Sequence, residues 1–347
     1  MGRFRGWRMK ALITGVAGFI GFHVARRLLR EGWQVLGLDS LNDYYDPALK
    51  RARLALLIPE PGFAFVEADL ADRPTMEALF ADQAFDRVIH LAAQAGVRYS
   101  LENPHAYVDA NLAGLLNVLE GCRVQQVTHL VYASSSSVYG LNTRVPFAEA
   151  DAVDHPVSLY AATKKSGELL IHSYSHLYGL PATGLRFFTV YGPWGRPDMA
   201  PIRFARAICA GESIDVYNHG DMSRDFTYID DIVEGVVRVL NQVPVPQPGW
   251  TPEQGGRNQS SAPYRIFNIG AGQPVGLLDF IQTLERALGM EAKKNFLPMQ
   301  AGDVARTWAC TDQLLAATGF RPVVGLEEGV ARFVDWYRDY YGASLRG

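Results

Sequence analysis

The segment SLYAATKKSGE, residues 158–168, contains a phenol and an ammonium group that could exchange protons with a substrate. Tyr160 and Lys164 are four residues apart, and on a helix this spacing places their Cβ atoms about 5–6 Å apart on one face. A free tyrosine has a pKa of about 10, which is too high for a base at neutral pH. A nearby cation favours the phenolate and lowers that pKa. The pair therefore predicts acid–base chemistry on a hydroxyl group, with an ordinary solvated helix face as the alternative.

A glycine-rich motif, GVAGFIG, follows the short apolar strand KALIT and opens a helical pattern. In this context the glycines let the backbone approach a pyrophosphate, and the helix N-terminus favours its negative charge. The G-x-x-G-x-x-G spacing departs from the common G-x-G-x-x-G form, and a purely structural turn is the alternative. The predicted cofactor-binding residues of this loop are Gly15, Gly18, Phe19, Ile20 and Gly21.

Three later strand ends offer further cofactor contacts. Asp39 ends the next strand, where its carboxylate can accept hydrogen bonds from ribose hydroxyls and would repel a 2′-phosphate, so NAD is favoured over NADP. EADLAD makes Asp69 and Leu70 candidates for contact with the adenine, although Asp69 could instead be a turn residue. The start of HLAAQAG has small residues that permit close cofactor packing, and its predicted contacts are Leu91, Ala92 and Ala93.

The serine-rich segment SSSSVYG, residues 134–140, ends the strand before Tyr160. Sites at the switch point of a parallel sheet collect their side chains from such strand ends. One serine hydroxyl could bridge a substrate and Tyr160, and Lys164 could also bond the ribose of the nicotinamide. A plain polar turn is the alternative for the serines.

The order of the elements predicts an α/β fold. Strands alternate with helical patterns up to about Phe188, which indicates a Rossmann-type doubly wound parallel sheet covered on both faces. We expect a smaller, irregular α/β C-terminal domain that binds the substrate. The predicted division is 9–190 for the NAD-binding domain, with 225–243 returning to it, and 191–224 and 244–342 mainly for the substrate-binding domain. Residues 244–263 have the composition of a disordered surface loop.

Composition excludes several other classes. The 347 residues carry a formal charge of -3, which predicts neither nucleic-acid nor membrane partners, and no window is long enough to span a bilayer. Three scattered cysteines, Cys122, Cys209 and Cys310, indicate reduced thiols in a cytoplasmic protein and no metal site. We expect residues 1–8 to be a disordered extension before the first strand.

Three motifs in order, GVAGFIG, SSSSVYG and YAATK, resemble the extended short-chain dehydrogenase/reductases that act on nucleotide sugars. The resemblance extends from Met9 to about Tyr340. It implies a catalytic role for Tyr160, Lys164 and Ser135. It also implies that the UDP end of a UDP-sugar is bound by residues of two later motifs, Arg224, Gln300 and Asp303.

Two serines favour one reaction within that family. Related 4,6-dehydratases carry an Asp-Glu pair directly before VYG, and UDP-glucuronate decarboxylases usually carry a glutamate there. Ser136 and Ser137 occupy these positions, so the acid–base pair for elimination is missing and epimerisation at one carbon remains. RFFTVYGPWGRPDM and IDVYNHGDMSRDF look most like UDP-glucuronate 4-epimerases, which interconvert UDP-glucuronate and UDP-galacturonate through a 4-keto intermediate with tightly bound NAD.

The resemblance predicts the remaining substrate contacts. A guanidinium at Arg196 could hold the sugar carboxylate bidentately, and the alternative is that Arg196 pairs with Asp198 or another surface acid. The other predicted substrate-binding residues are Ser136, Ser137, Thr189, Arg196 and Tyr217. The family commonly forms homodimers through two long helices, around 107–122 and 159–178. Alternative functions are a 4-epimerase of a neutral UDP-hexose, a nucleotide-sugar dehydratase or oxidoreductase, and a non-enzymatic NAD-binding regulator.

Overall fold

The computed structural model describes residues 9–253, 255–300 and 303–342. The expected extension at residues 1–8 lies outside these residues. The strands in chain order are β1 (Lys10–Thr14), β2 (Gln34–Asp39), β3 (Phe63–Glu67), β4 (Arg87–His90), β5 (His129–Ser135), β6 (Ala182–Phe187), β7 (Thr189–Tyr191), β8 (Ser213–Val216), β9 (Ser223–Tyr228), β10 (Tyr264–Ile269), β11 (Pro274–Gly276) and β12 (Lys293–Phe296).

The α-helices alternate with the strands in the first half of the chain and cluster in the second. They are α1 (Phe19–Arg30), α2 (Pro47–Leu57), α3 (Arg73–Asp82), α4 (Tyr99–Glu102), α5 (Pro104–Val108), α6 (Gly114–Gln125), α7 (Leu159–Tyr178), α8 (Ala200–Cys209), α9 (Ile229–Leu240), α10 (Leu277–Leu288), α11 (Asp312–Thr318) and α12 (Leu326–Tyr341). Among the described residues, none of these helices combines the length and apolar character needed to span a bilayer.

Seven strands form one parallel sheet in the order β10-β6-β5-β4-β1-β2-β3. The strand order reverses between β1 and β4, so a crevice opens there outside the carboxyl ends of the strands. The predicted Rossmann-type doubly wound sheet is thereby confirmed. The ends of β1, β2, β4 and β5 all meet at this crevice, and each is followed by one of the motifs that the sequence singled out.

The sheet is apolar because helices cover both faces. Along β1, Ala11 and Ile13 pack into the cluster that includes α1, α9 and α12, while Leu12 packs into the cluster beneath α3, α6 and α7. All three residues are fully buried. Strands buried on both faces read as continuous apolar runs, which explains why KALIT has no polar alternation.

The second half of the chain builds a smaller part and returns to the sheet. It contains a three-stranded sheet, β11-β9-β7, and a two-stranded sheet, β12-β8, with helices that include α8 and α10. Helix α9 contacts α1 and β5, and β10 fills the sheet edge beside β6. Strand β10 falls within the range that the sequence assigned mainly to substrate binding. The domain division itself stays a prediction.

Two helical features were not predicted. Helix α2 begins at Pro47 after the N-cap Asp46, whose Oδ1 accepts from the Ala48 amide at 2.9 Å. The helical segment predicted around 107–122 comprises α5, one π-helical turn at Asp109–Ala113, and α6. Asn111, in this π-helical turn, contacts α7 at Thr163.

Candidate active site

The crevice holds a cavity of about 490 Å³ at the carboxyl ends of the strands. A volume of this order suits a small-molecule or cofactor site, for which about 300–1,000 Å³ is usual. Its walls combine the glycine-rich loop, the ends of β2, β4 and β5, the start of α7 and the loop after β7. The predicted residues that line it are Gly15, Gly18, Phe19, Ile20, Gly21, Asp39, Asp69, Leu70, Leu91, Ala92, Ala93, Ser135, Ser136, Ser137, Tyr160, Lys164, Thr189, Arg196, Arg224 and Asp303.

The three glycines of the glycine-rich loop have no room for a side chain. Gly15 has a φ of +72°, and a Cβ there would lie 2.7 Å from the backbone nitrogen of Ala92. A Cβ on Gly21 would lie 2.2 Å from the carbonyl oxygen of Gly15. Helix α1 begins at Phe19, directly after this bare backbone. The result is a cradle of exposed backbone at a helix N-terminus, which is what a pyrophosphate requires.

Asp39 lies at the end of β2 and shapes the same cradle. Its Oδ2 accepts from the Ala17 amide at 3.1 Å, and its Oδ1 accepts from the Leu41 amide at 2.9 Å. Burial raises the pKa of this carboxyl group, and these hydrogen bonds oppose the rise. The carboxylate therefore fixes the loop while it lines the cavity, as a ribose-binding acid must.

Asp69 combines the two roles that the sequence left open. Its Oδ1 accepts from the Ala71 amide at 2.9 Å, as a turn residue would, and the residue also lines the cavity next to the buried Leu70. Leu91, Ala92 and Ala93 follow β4 on the opposite wall. The Ala92 backbone closely faces Gly15, which requires a glycine at position 15.

Residues after β2 and in α2 that shape the cavity were missed. Tyr44 and Lys50 line the cavity, and Lys50 Nζ donates to the backbone oxygen of Asn42 at 2.7 Å. The buried Arg53 donates from Nη1 to the Ala17 carbonyl at 2.7 Å and from Nη2 to the Trp194 carbonyl at 2.7 Å. Arg53 thus ties the glycine-rich loop to the loop that carries Arg196. The polar and aromatic composition of NDYYDPALK after a strand end was the available signal.

The acid–base group is assembled from β5 and α7. Helix α7 starts at the N-cap Ser158, whose Oγ accepts from the Ala161 amide at 3.1 Å, so Tyr160 lies in its first turn. Lys164 Nζ donates to the Ala133 carbonyl in β5 at 3.0 Å. Ser135 Oγ accepts from the Ser137 amide at 3.1 Å and thereby caps the turn that follows β5. Strand end and helix start therefore place the three predicted catalytic residues on one wall.

Burial controls the proton affinities of this group. Burial raises the pKa of Tyr160, while the Ser135 hydroxyl and the positive charge of Arg196 act in the opposite direction. Burial, aided by the charge of Arg196, lowers the pKa of Lys164 to about 8. Without bound NAD, desolvation penalises the phenolate more than these groups stabilise it. The predicted lowering of the Tyr160 pKa also invokes the positive charge of oxidised nicotinamide, and it stays a prediction.

A buried ion pair fixes α7 against the sheet. Glu168 accepts from Arg186 at 2.9 and 3.0 Å and from Ser134 Oγ at 2.7 Å. Removing one partner of a buried pair leaves an uncompensated charge, so this network resists displacement of the helix. Asn111, in the π-helical turn, donates from Nδ2 to Thr163 Oγ1 at 3.0 Å and holds the same helix from the other side.

Six of the eight predicted substrate residues line the cavity, namely Ser136, Ser137, Thr189, Arg196, Arg224 and Asp303. Arg224 donates from Nη1 to the Ala305 carbonyl at 3.0 Å. Asp303 lies 3.4 Å from the Arg98 guanidinium, which is 5.0 Å from the ring of Tyr217. Within the described part of the chain, Tyr217 and Gln300 do not line the cavity. Arg196 lines it, and Asp198 binds Arg196 through two contacts, at 3.1 and 2.5 Å.

The chain matches the model of the NAD dependent epimerase/dehydratase family over residues 11–270. The chain belongs to this family. Its NAD cofactor fits the bare cradle of Gly15, Gly18 and Gly21, where any Cβ would collide with backbone, and the ribose-binding acid expected beside that cradle is Asp39. The predicted family and cofactor are confirmed.

Curated relatives and solved structures of this epimerase/dehydratase family resemble nearly the whole chain. A probable UDP-glucuronate 4-epimerase of Rhizobium meliloti is 55% identical over 334 residues, which cover 96% of this chain and 98% of that protein. The crystal structure of the UDP-glucuronic acid 4-epimerase of Bacillus cereus, solved with UDP-glucuronic acid and NAD, superposes with a TM-score of 0.85 at 33% identity, covering 96% of this chain and 100% of that one. The UDP-glucose 4-epimerase of Thermus thermophilus, solved with NAD, gives a TM-score of 0.81 at 30% identity, covering 95% and 99%.

Proposed function

We propose that the protein interconverts UDP-glucuronate and UDP-galacturonate by epimerisation at C4 through a 4-keto intermediate, with NAD bound throughout. The observation that carries the substrate assignment is the position of Arg196, whose guanidinium lines the same cavity as Tyr160 and acts on its pKa. The relatives named as UDP-glucuronate 4-epimerases support the same assignment. The reaction type rests on the serines before VYG, which supply no acid–base pair for elimination.

Tyr160 is the group that moves the proton. Its phenolate oxygen accepts the proton of the C4 hydroxyl and later returns a proton to the C4 oxygen. NAD held by the cradle of Gly15, Gly18 and Gly21 would supply the acceptor for the C4 hydride and the donor that returns it to the opposite face of the sugar. Ser135 orients the sugar hydroxyl, and Lys164 supplies a fixed ammonium because its Nζ is held by the Ala133 carbonyl.

The two ends of the substrate have different anchors. All four anchors line the cavity. Arg224 and Asp303 would hold the nucleotide end, and Arg196 and Thr189 would hold the sugar end. A nucleotide end that stays bound lets the sugar turn over within the cavity without leaving. After the sugar has turned over, the neutral hydroxyls of Ser136 and Ser137 can donate hydrogen bonds to its carboxylate.

A 4-epimerase of a neutral UDP-hexose is the second candidate. One observation favours it: Asp198 already neutralises Arg196, at Nη2–Oδ2 2.5 Å, so the cavity wall is not plainly cationic. UDP-glucose 4-epimerases are also among the similar structures.

The direct test incubates the purified protein with UDP-glucuronate or UDP-glucose and separates the products by chromatography while absorbance at 340 nm is recorded. We expect UDP-galacturonate from UDP-glucuronate without lasting accumulation of NADH, and much slower turnover of UDP-glucose. Lasting NADH would indicate net oxidation. Equal rates on both sugars would support the neutral-hexose alternative.

A second test concerns the carboxylate. Arg196→Ala should raise KM for UDP-glucuronate by about tenfold, the size of one charge-assisted hydrogen bond, and should increase decarboxylated by-product. Binding of free UDP should change little. Arg203→Ala, at an exposed arginine on α8, is the matched control. Equal losses of affinity for UDP and UDP-glucuronate would assign Arg196 to the nucleotide or to the fold.

We also propose that two copies associate through α6 and α7. These neighbouring helices leave large apolar side chains exposed, including Leu116, Val124, Leu169 and Leu177, and such contiguous apolar surface marks interaction sites. Sedimentation should detect a dimer for the wild type and a monomer for the Leu116→Glu/Leu169→Glu variant. Leu278→Glu, at an exposed leucine of α10, is the control that should stay dimeric. A monomeric wild type would contradict this association.

A further inference from the structure

Arg196 forms an ion pair with Asp198, a residue that does not line the cavity. Asp198 Oδ1 accepts from Arg196 Nε at 3.1 Å, and Asp198 Oδ2 accepts from Nη2 at 2.5 Å. Arg196 lines the cavity, whereas Asp198 does not. The pair therefore uses one edge of the guanidinium and does not use Nη1.

A residue from the cofactor half holds the counter-ion in place. Tyr44, in the segment between β2 and α2, donates its hydroxyl hydrogen to Asp198 Oδ2 at 3.1 Å. Pro197 separates the two charged residues, and its ring restricts the backbone between them. Both side chains are about three-quarters buried, at 23% and 27% exposure. The pair is thus a fixed feature and not a loose surface contact.

A fixed pair matters because the sugar must turn. The carboxylate is at one side of the cavity before oxidation and at another before reduction. An unpaired guanidinium would bind the carboxylate strongly in the first position. When the carboxylate then left, a partly buried cation would remain without a partner, which is costly. With Asp198 in place, Arg196 stays neutralised when the carboxylate leaves.

We infer that Asp198 is a positioning residue that weakens the hold of Arg196 on the substrate carboxylate, so that the sugar can rotate between the two half-reactions. This role rests on the proposed epimerisation of UDP-glucuronate. In this role Asp198 lowers the affinity for UDP-glucuronate and raises the turnover rate. An enzyme that must hold the carboxylate in one place would not need such a residue.

The decisive variant is Asp198→Asn, which removes the charge and keeps an oxygen that can accept from Arg196 and Tyr44. The dissociation constant of UDP-glucuronate, measured by calorimetry in the Tyr160→Phe background, should fall by about tenfold. In the otherwise wild-type enzyme kcat should fall together with KM. Binding of UDP and UDP-glucose should remain unchanged. Asp198→Glu, which retains the charge, should restore both constants towards wild-type values.

A pH profile gives a readout that a merely structural residue would not move. Asp198 raises the pKa of Tyr160 and Arg196 lowers it, so Asp198→Asn should shift the acid limb of the kcat profile to lower pH. The polar and charged groups around Tyr160 that bear on this pH profile are Ser135, Tyr107, Lys164, Arg196 and Asp198. Asp312→Asn, in an exposed pair 3.4 Å from Arg321, is the control and should leave binding and profile unchanged.

Two results would overturn the inference. If Asp198→Asn binds UDP-glucuronate no more tightly than the wild type does, while UDP binding is intact, then Asp198 only orients Arg196. A tenfold effect that persists in an Arg196→Met background would mean that Asp198 acts through another group. If wild-type protein fails to convert UDP-glucuronate at all, the proposed function fails first, and the two failures are thereby distinguished.

Discussion

At the scale of single residues, burial makes Tyr160 a poor base in the protein without bound cofactor. Its ring meets that of Tyr107 edge-on, with centroids 6.2 Å apart, and desolvation raises its pKa. The positive charge of Arg196 only partly opposes this rise. The positive nicotinamide of bound NAD would oppose it further, because an adjacent cation favours the phenolate.

Tyr160→Phe should leave NAD binding nearly intact and lower kcat by at least about 10²-fold, because only the proton acceptor is removed. Epimerisation is measured by product chromatography, and bound NAD by its release on denaturation. Tyr174→Phe is the matched control on the same helix, where the lost hydroxyl donates to Glu120 at 2.6 Å. A Tyr160→Phe enzyme with more than about a tenth of wild-type kcat would exclude this residue as the base.

Lys164→Met should lower both kcat and NAD retention, and should move the acid limb of the kcat profile to higher pH. The sign follows from charge: a lost ammonium destabilises the phenolate and raises its pKa. Lys165→Met is the control, because Lys165 contacts Glu168 at 3.4 Å and not the Ala133 carbonyl. An unchanged profile with lost NAD retention would restrict Lys164 to binding the cofactor.

At the scale of elements, the turn between β1 and α1 forms the pyrophosphate cradle. Gly21→Ala places a Cβ 2.2 Å from the Gly15 carbonyl oxygen, so the start of α1 must shift away from the pyrophosphate cradle. We expect loss of most bound NAD from the purified protein, with the fold retained by circular dichroism. Gly249→Ala is the control, since a Cβ there meets nothing within 4 Å. Full NAD occupancy in Gly21→Ala would contradict the assigned cradle.

The elements also show what the sequence could and could not predict. The three motifs lie on contiguous strand–turn–helix units, so local patterns were sufficient to predict the cavity walls built from Gly15, Ser135 and Tyr160. The role of Arg53 could not be predicted, because its partners at Ala17 and Trp194 are distant in sequence and its contacts depend on tertiary packing. The π-helical turn was equally hidden, since one extra residue in a turn leaves no compositional trace, yet it sets the contact of Asn111 with Thr163.

Small strands of the second half were missed for a related reason. Strands β7, β8, β11 and β12 have three or four residues each, too few for a period to be visible. Their pairing is set by partners far along the chain, such as β12 with β8. Sequence patterns therefore predicted the parallel sheet well and the substrate-side sheets poorly.

At the scale of the whole molecule, buried neutral histidines make stability sensitive to acid. Burial lowers the pKa of His90 and of His129 to about 3. The unfolded chain takes up these protons below pH about 6.5 and the folded protein does not, so stability should fall as pH drops from about 6.5 towards 3. Each histidine contributes a slope of up to about 1.4 kcal/mol per pH unit.

His129→Gln should flatten this dependence, because one of the buried histidines that take up a proton only on unfolding is lost. Denaturant unfolding at several pH values measures the slope, which is compared within each variant because the substitution also disturbs the contacts of His129 with Leu240 and Thr183. His176→Gln, at an exposed histidine on α7, should keep the wild-type slope. Identical slopes in all three proteins would show that other groups govern the acid sensitivity.

The position of β10 at the sheet edge affects how the protein is made. Strand β6 ends at Phe187, but its outer neighbour does not begin until Tyr264. During synthesis the ribosome therefore releases a nearly complete sheet whose β6 edge is unpaired until residues 264–269 emerge. An open strand edge is a template for pairing with another chain, and such partly formed species are prone to aggregate. The yield of active protein in a cell should thus depend on translation speed and chaperone supply more than on the stability of the finished fold.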